Sequence, residues 1–329
     1  MVLGKRVTRI LSNLCKKSRM LVQHNFSEAS EQDSASEEEN EAYFDFEEKT
    51  AIVNGGASGI GFEIAKEFLQ RGVPHLSIID IDEQEGEKAL AELAHEFGED
   101  KVLFFEADVA DAVQLDDVYR KSIQYHDVPD LIVNSAGIMN DTTWEKQIQT
   151  NMTGCVVGTL LGLQYMSKTS KGYGGIIVNV GSILGIIPSS GFPLHTMTQF
   201  GICGFSKALG CESEHILGNH ISRTGVKVFA MCPGLTETRL LNAAPANAIN
   251  NNFAKEFVDE VYGSSPQKAK SVAKGLSDII DEAKPGSVWV VENDSIPYEV
   301  TYPGNILEMR KEKDKENISA TSEATSVHN

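Results

Sequence analysis

Short apolar runs rich in β-branched residues recur through the middle of the chain: TAIVNG, HLSIID, KVLFFEADV, DLIVNSAG, GIIVNVGS, VKVFAMCPG and SVWVVEN. Each run is continuous rather than alternating, the pattern of a strand buried on both faces of a parallel sheet. Six stretches of 14 or more residues separate the seven runs. That is room for a crossover helix each time, so the pattern predicts an α/β fold. The expected architecture is a single doubly wound domain with a seven-stranded parallel sheet and a ligand at the carboxyl ends of its strands.

The flanks read differently. The first 27 residues hold six basic residues, Lys5, Arg6, Arg9, Lys16, Lys17 and Arg19, and no acid, with Leu3, Val7, Ile10, Leu14 and Leu21 at helical spacing. This resembles a mitochondrial leader, the alternative being a plain basic tail. From Glu28 to Glu48 there are ten acids and no Lys or Arg, a solvated linker pattern. The expected division is a disordered leader over 1–47, one domain over 48–305, and a charged, disordered tail over 306–329.

Composition narrows the function classes. The net charge of −18 argues against nucleic acid, whose phosphates need clustered lysine and arginine. No apolar run reaches the roughly 20 residues that span a bilayer. Cys15, Cys155, Cys203, Cys211 and Cys232 form no CxxC pair and no metal spacing, so neither a disulfide framework nor a zinc site is expected. A reducing, cytoplasmic compartment is the default, with the mitochondrion as the alternative if the leader is read.

Directly after the first run comes Asn54-Gly-Gly-Ala-Ser-Gly-Ile-Gly61, which opens a helix reaching about Arg71. Gly55, Gly59 and Gly61 permit a tight turn, close approach of the backbone to a pyrophosphate, and close packing of helix on strand. Asp80 ends the second run, 19 residues past Gly61. A carboxylate there accepts hydrogen bonds from ribose hydroxyls and repels a 2′-phosphate, which predicts NAD rather than NADP in a Rossmann domain.

The ordered series Gly-x-x-x-Gly-Ile60-Gly, Ala107-Asp108-Val109, Asn134-Ser-Ala136-Gly137, Asn151, Ser182 and Pro233-Gly234 resembles the short-chain dehydrogenase/reductase family over about Lys49 to Pro303. TWEKQIQTN, LGLQYMSK and GGIIVNVGSILG are similar to its subgroup of 15-hydroxyprostaglandin and insect-type alcohol dehydrogenases, which oxidises secondary alcohols with NAD and works as a dimer. The resemblance implies that Asp108 and Val109 flank the adenine. It further implies that Asn134, Ala136 and Gly137 lie along the cofactor, and that Pro233, Gly234 and Thr236 close over its nicotinamide end. The family's second asparagine after the fourth strand is Ser135 here, and its opening threonine is Asn54.

At the catalytic positions the chain departs from the family. The resemblance implies that Ser182 orients the substrate oxygen and that Asn151 completes a water relay. Thirteen residues past Ser182, where the family has its proton-transferring tyrosine, stands His195; four further on, in place of the lysine that supports it, stands Gln199. A phenol with an ordinary pKa of about 10 needs a nearby cation to act as a base near neutrality, and an amide offers none. An imidazole, at about 6.5, needs no such cation. Three expectations follow: an NAD-dependent oxidoreductase whose proton carrier is His195, an NAD-binding pseudoenzyme serving as a binding or dimeric interaction module, or, least favoured by the glycine loop and Asp80, a structural protein that has lost NAD.

No carboxylate stands near His195 in sequence, the histidines are dispersed, and Lys207 lies two turns past Gln199, so neither a metal nor a substitute lysine is expected. After Pro233-Gly234 an alanine-rich stretch leads into helical sequence to about Ala283. By resemblance this is a lid, and its Leu240, Leu241, Phe253 and Phe257 suggest a small apolar alcohol or ketone substrate. The helices containing Gln147–Met166 and Phe192–Ile216 would form a homodimer interface, with Gly201, Gly204 and Ala208 allowing close approach.

Overall fold

The computed structural model describes residues 44–210, 223–261 and 263–302; positions 1–43 of the expected leader and the expected tail lie outside these, and Phe44 and Phe46 at the leader's end pack on the core. Ten strands occur in chain order: β1 (Thr50–Asn54), β2 (His75–Asp80), β3 (Val102–Glu106), β4 (Leu131–Asn134), β5 (Gly175–Val180), β6 (Val226–Pro233), β7 (Thr236–Glu237), β8 (Gln267–Lys268), β9 (Val288–Val291) and β10 (Tyr298–Glu299). The main sheet runs β3-β2-β1-β4-β5-β6-β9 with all strands parallel, and β10 is added antiparallel on β9. The seven expected strands are therefore all present. The eighth is a two-residue pairing too short to leave an apolar run, and β7 and β8 form a small separate ladder.

Chain order and sheet order part company between β1 and β4, where the connections switch to the opposite side of the sheet; a ligand cleft forms outside such a switch point. Nine α-helices are described: α1 (Gly59–Gln70), α2 (Glu83–Phe97), α3 (Ala112–His126), α4 (Trp144–Ile148), α5 (Cys155–Met166), α6 (Pro193–Gly210), α7 (Arg239–Asn247), α8 (Asn251–Glu260) and α9 (Ala269–Ile279). A π-helical turn, Gln149–Gly154, joins α4 to α5. The last lid-side helix stops at Ile279, short of the expected Ala283.

Alternate strand residues feed two apolar layers. Ala51, Val53, Leu76, Ile78, Leu131 and Val133 pack with Ile64 and Phe68 of α1, Leu93 of α2 and Leu276 of α9. Ile52, Ile79, Ile132 and Ile177 pack with Leu115 and Tyr119 of α3 and Met166 of α5. Each fully buried aliphatic side chain contributes about 1.5–3 kcal/mol, so the alternation along each strand supplies an apolar layer to both faces of the sheet.

Four of the nine described helices begin with a side-chain cap from the residue ahead. Asp82 accepts from Glu85 N (3.1 Å), Asp111 from Val113 N (2.9 Å), Thr238 from Leu241 N (3.3 Å) and Asn250 from Asn252 N (2.9 Å). Such a cap is worth about 1 kcal/mol. Ser58, ahead of α1, makes no side-chain cap bond, which leaves the first amides of that helix open.

Candidate active site

The carboxyl ends of β1, β4 and β5 are fixed by a buried row of asparagines. Asn54, Asn134 and Asn179 stand opposite one another in register. Asn54 Nδ2 donates to Asn134 Oδ1 (2.7 Å), Asn134 Nδ2 to Asn179 Oδ1 (2.8 Å), and Asn179 Nδ2 to Ser206 Oγ of α6 (2.9 Å). A hydrogen-bonded polar chain of this kind holds register because breaking one link leaves a buried amide unpaired. It ties together the strands that carry the glycine loop, the Ser135-Ala136-Gly137 turn and Ser182.

Above this row lies a cavity of about 710 Å³. Its wall includes Gly55, Gly59, Ile60, Gly61, Asp80, Asp108, Val109, Ala136, Gly137, Asn151, Ser182, His195, Gln199, Pro233, Gly234 and Thr236. These sixteen sequence-picked residues thus come together from both halves of the domain. Asn134 does not: its amide is spent in the asparagine row beneath the floor, and Ser135 takes the place on the wall.

At one end the glycine loop is sterically constrained. Gly55 has φ +77°, and a Cβ there would stand 2.5 Å from the Ala136 backbone. A Cβ on Gly61 would overlap the Gly55 carbonyl oxygen. Asp80 is held facing this turn, its Oδ2 accepting from Ala57 N (3.1 Å) and its Oδ1 from Asp82 N (3.2 Å). Asp108 is likewise fixed by Ala110 N (2.9 Å). The result is an open helix N-terminus next to a preset carboxylate, an arrangement that receives phosphate and ribose groups.

The other end is built from distant segments. Ser182 Oγ accepts from Leu184 N (3.2 Å), which leaves its own O–H to donate. His195 is buried near the start of α6, and its Nδ1 lies 3.2 Å from the Ile138 carbonyl oxygen. A carbonyl only accepts, so the neutral ring carries its proton on Nδ1 and presents Nε2 as an acceptor. Burial pushes the His195 pKa down to about 4, against the opposing pull of Asp141 and the Ile138 carbonyl. The imidazole is neutral at physiological pH.

Asn151, in the π-helical turn, accepts from Ile138 N (2.8 Å) and donates to Ile138 O (2.9 Å) and Thr198 Oγ1 (3.1 Å). Both amide hydrogens are therefore engaged, and the residue grips the carbonyl that orients His195 instead of offering a free donor to a water chain. Gln199 Nε2 donates to Thr198 Oγ1 (3.3 Å), leaving its carbonyl oxygen available.

No carboxylate is near His195 in sequence, but the fold brings one to it. Asp141, 54 residues earlier, accepts from His195 N (2.9 Å), Leu194 N (2.9 Å) and Gln147 Nε2 (2.9 Å) while itself buried. It caps α6 and sets the position of the histidine at its start. Acid followed by TTWEK reads as a surface turn, and nothing local marks it. No group of three or more metal-ligating side chains occurs among the described residues.

Lys207 packs its ammonium 4.7 Å from the centre of the Tyr302 ring, away from the cleft. A second unforeseen residue is Lys146 of α4, which lines the cavity and enters no ion pair among the described residues. Leu240, Leu241 and Phe257 line the cavity, whereas Phe253 packs behind them with Met139 and Phe192. Glu260 ends α8 by accepting from Ser190 N (2.8 Å), Ser190 Oγ (2.5 Å) and Ser189 Oγ, which fastens α8 to the loop ahead of α6.

A doubly wound parallel sheet with a glycine-lined cleft at its switch point defines a dinucleotide-type α/β fold. The family described as short chain dehydrogenase matches residues 49–248, and the chain belongs to it. It is 36% identical over 250 residues to 15-hydroxyprostaglandin dehydrogenase [NAD(+)] of Homo sapiens, covering 74% of this chain and 90% of that protein. Alcohol dehydrogenase 1 of Ceratitis cosyra is 33% identical over 247 residues, covering 74% and 91%. Among solved structures, a short chain dehydrogenase/reductase from Burkholderia phymatum in complex with NAD superposes with a TM-score of 0.62 at 18% identity, covering 76% of this chain and 90% of that one. ElxO with NADP bound gives 0.60 at 25% identity, covering 74% and 97%.

Proposed function

We propose that the protein is an NAD-dependent oxidoreductase that interconverts a small secondary alcohol and its ketone, with His195 as the proton carrier. The observation that carries this reading is the 3.2 Å contact of His195 Nδ1 with the Ile138 carbonyl, which accepts a hydrogen bond from Nδ1–H and so leaves Nε2 as the free acceptor on a cavity wall shared with Ser182. The residues present fit the cofactor. The uncapped start of α1 and the crowded glycines suit a pyrophosphate, and Asp80 suits an adenosine ribose with a free 2′-hydroxyl. When bound, NAD supplies the hydride acceptor or donor.

In this reading Ser182 donates a hydrogen bond to the substrate oxygen, and His195 Nε2 takes the alcohol proton or returns it through its hydrogen bond. Gln199 offers its free carbonyl oxygen to a nicotinamide ribose hydroxyl. Its amide cannot act as the cation that a tyrosine would need, which is why tyrosine and lysine are replaced together. The apolar substrate side, Leu240, Leu241 and Phe257, suits an uncharged carbon skeleton, and the exposed Met197 and Phe200 of α6 suit burial in a homodimer.

A second reading, a pseudoenzyme that binds NAD without turnover, draws on the low basicity of the buried ring. A base near 4 falls well below the optimum for proton abstraction at neutral pH. Assays of secondary alcohols and ketones separate the two, run on the native protein, His195→Ala and the double variant His195→Tyr/Gln199→Lys. We expect turnover by the native chain and a loss of about 10²–10⁴-fold in His195→Ala, with NADH affinity kept. Activity in the double variant alone would assign the pseudoenzyme.

A further inference from the structure

Two thiols meet directly behind the nicotinamide end of the cleft. Cys203 sits one turn past Gln199 on α6, and Cys232 immediately precedes Pro233-Gly234 on β6. Their sulfurs are 3.4 Å apart and both side chains are buried. A Cβ added to Gly181 would lie 3.4 Å from the Cys232 sulfur, 3.7 Å from the Cys203 sulfur and 3.8 Å from Gln199 Oε1. Gly181 and the Gln199 side chain therefore lie between the pair and the cleft wall that holds Ser182. We propose that Cys203 and Cys232 are a redox modification site, oxidised by a hydroperoxide to a reversible disulfide that deforms this wall and weakens dinucleotide binding.

The chemistry balances in two steps. The Cys203 sulfur attacks a peroxide oxygen; an S–O bond forms, the O–O bond breaks, and water leaves when the oxidant is hydrogen peroxide. The Cys232 sulfur then attacks the resulting sulfenic acid; the S–S bond forms, the S–O bond breaks, and a second water leaves. Two thiols have lost two electrons and two protons, and the peroxide has been reduced to two waters. Cys203 is the attacking group because it is the less deeply buried of the two, 3% against 0% exposed, and the contact with Cys232 holds its thiol below the ordinary range. Cys155, pushed up to about 12 by burial, stays a thiol.

Geometry supplies the consequence. A disulfide is about 2.05 Å long, so the sulfurs must close by about 1.3 Å from their present contact. One is anchored in the helix of His195 and Gln199 and the other in the strand that leads to Pro233-Gly234. Closing them draws those two walls together, and shifts near 1 Å at such positions cost up to about 10²-fold in function.

The test uses the full chain, treated with hydrogen peroxide while folded and then alkylated without reduction. We expect a linked Cys203–Cys232 peptide that dithiothreitol removes. NADH affinity, titrated by fluorescence, should fall about tenfold or more on oxidation and recover on reduction, while Cys232→Ser keeps its affinity through the same treatment. Complete alkylation of both cysteines after peroxide would overturn the proposal, as would unchanged NADH affinity in a sample carrying the linked peptide. The binding readout rests on the cleft being an NAD site: if untreated protein ignores NADH, that reading fails, and peptide mapping alone decides the disulfide.

Discussion

The two ends of the cleft are built on opposite principles. At the glycine end, one contiguous strand, turn and helix carries nearly every feature, and Asp80 joins it from the neighbouring strand through a bond to Ala57 N (3.1 Å). At the histidine end, His195 depends on the Ile138 carbonyl, which depends on Asn151, while Asp141 fixes the start of α6. The first end is local and sterically set. The second is assembled from the turn after β4, the π-helical turn and the start of α6, which only packing brings together. A site held by a network admits a new side chain where an existing carbonyl can orient it, whereas a turn held by steric exclusion admits almost none.

That contrast can be broken most forcefully at Gly61. Its alanine variant places a methyl group against the Gly55 carbonyl. We expect NADH binding to vanish and stability to fall by about 3 kcal/mol, a melting point lower by roughly 6–12 °C. Unchanged melting and binding would show that the turn is not sterically set.

A somewhat smaller effect tests the other end through pH. His195 is held near 4 against an ordinary 6.5. Between these values the unfolded chain takes up a proton that the folded one refuses, so the histidine's contribution is complete above about 6.5 and is lost as pH falls toward 4. The loss should reach roughly 2–3 kcal/mol. Urea midpoints at pH 7 and pH 4.5, compared between the native chain and His195→Gln, should differ more for the native chain. The Asp141→Asn variant, without the carboxylate that raises this pKa, should carry the dependence to still lower pH. Parallel curves for native and His195→Gln chains would show that the imaginable alternative, a freely protonated ring, is the true state.

The smallest expected change is at Asp80. Replacing it with serine removes the charge that disfavours a 2′-phosphate while keeping a hydroxyl for hydrogen bonding. The ratio of NADH to NADPH affinity should fall about tenfold, or ~1.4 kcal/mol. A ratio that does not move would place cofactor choice elsewhere on the wall.

How much of this was legible beforehand follows the same divide. Seven apolar runs disclosed the seven parallel strands because a strand covered on both faces cannot hide its composition; the two-residue β10 left no such trace. The glycine turn and Asp80 were readable because their spacing is imposed by one helix and two neighbouring strands. Asn134 was misplaced along the cleft, since spacing says nothing of which way its amide is spent, and register with Asn54 and Asn179 drew it beneath the floor. Asn151 was expected to serve a water, but the π-helical turn aims both its hydrogens at protein acceptors.

The amino-acid order by itself determined the layers of the domain, the order of its strands and helices, and the glycine turn with Asp80 beyond it. These depend on periodicity and on spacing along one segment, which short-range geometry converts directly into position. Only the tertiary structure decided which nitrogen of His195 is bare, that Asp141 lies under it, and that Cys203 and Cys232 touch. Those contacts join residues 29 to 57 positions apart, and nothing but the packing of helices on the sheet brings them within hydrogen-bonding distance.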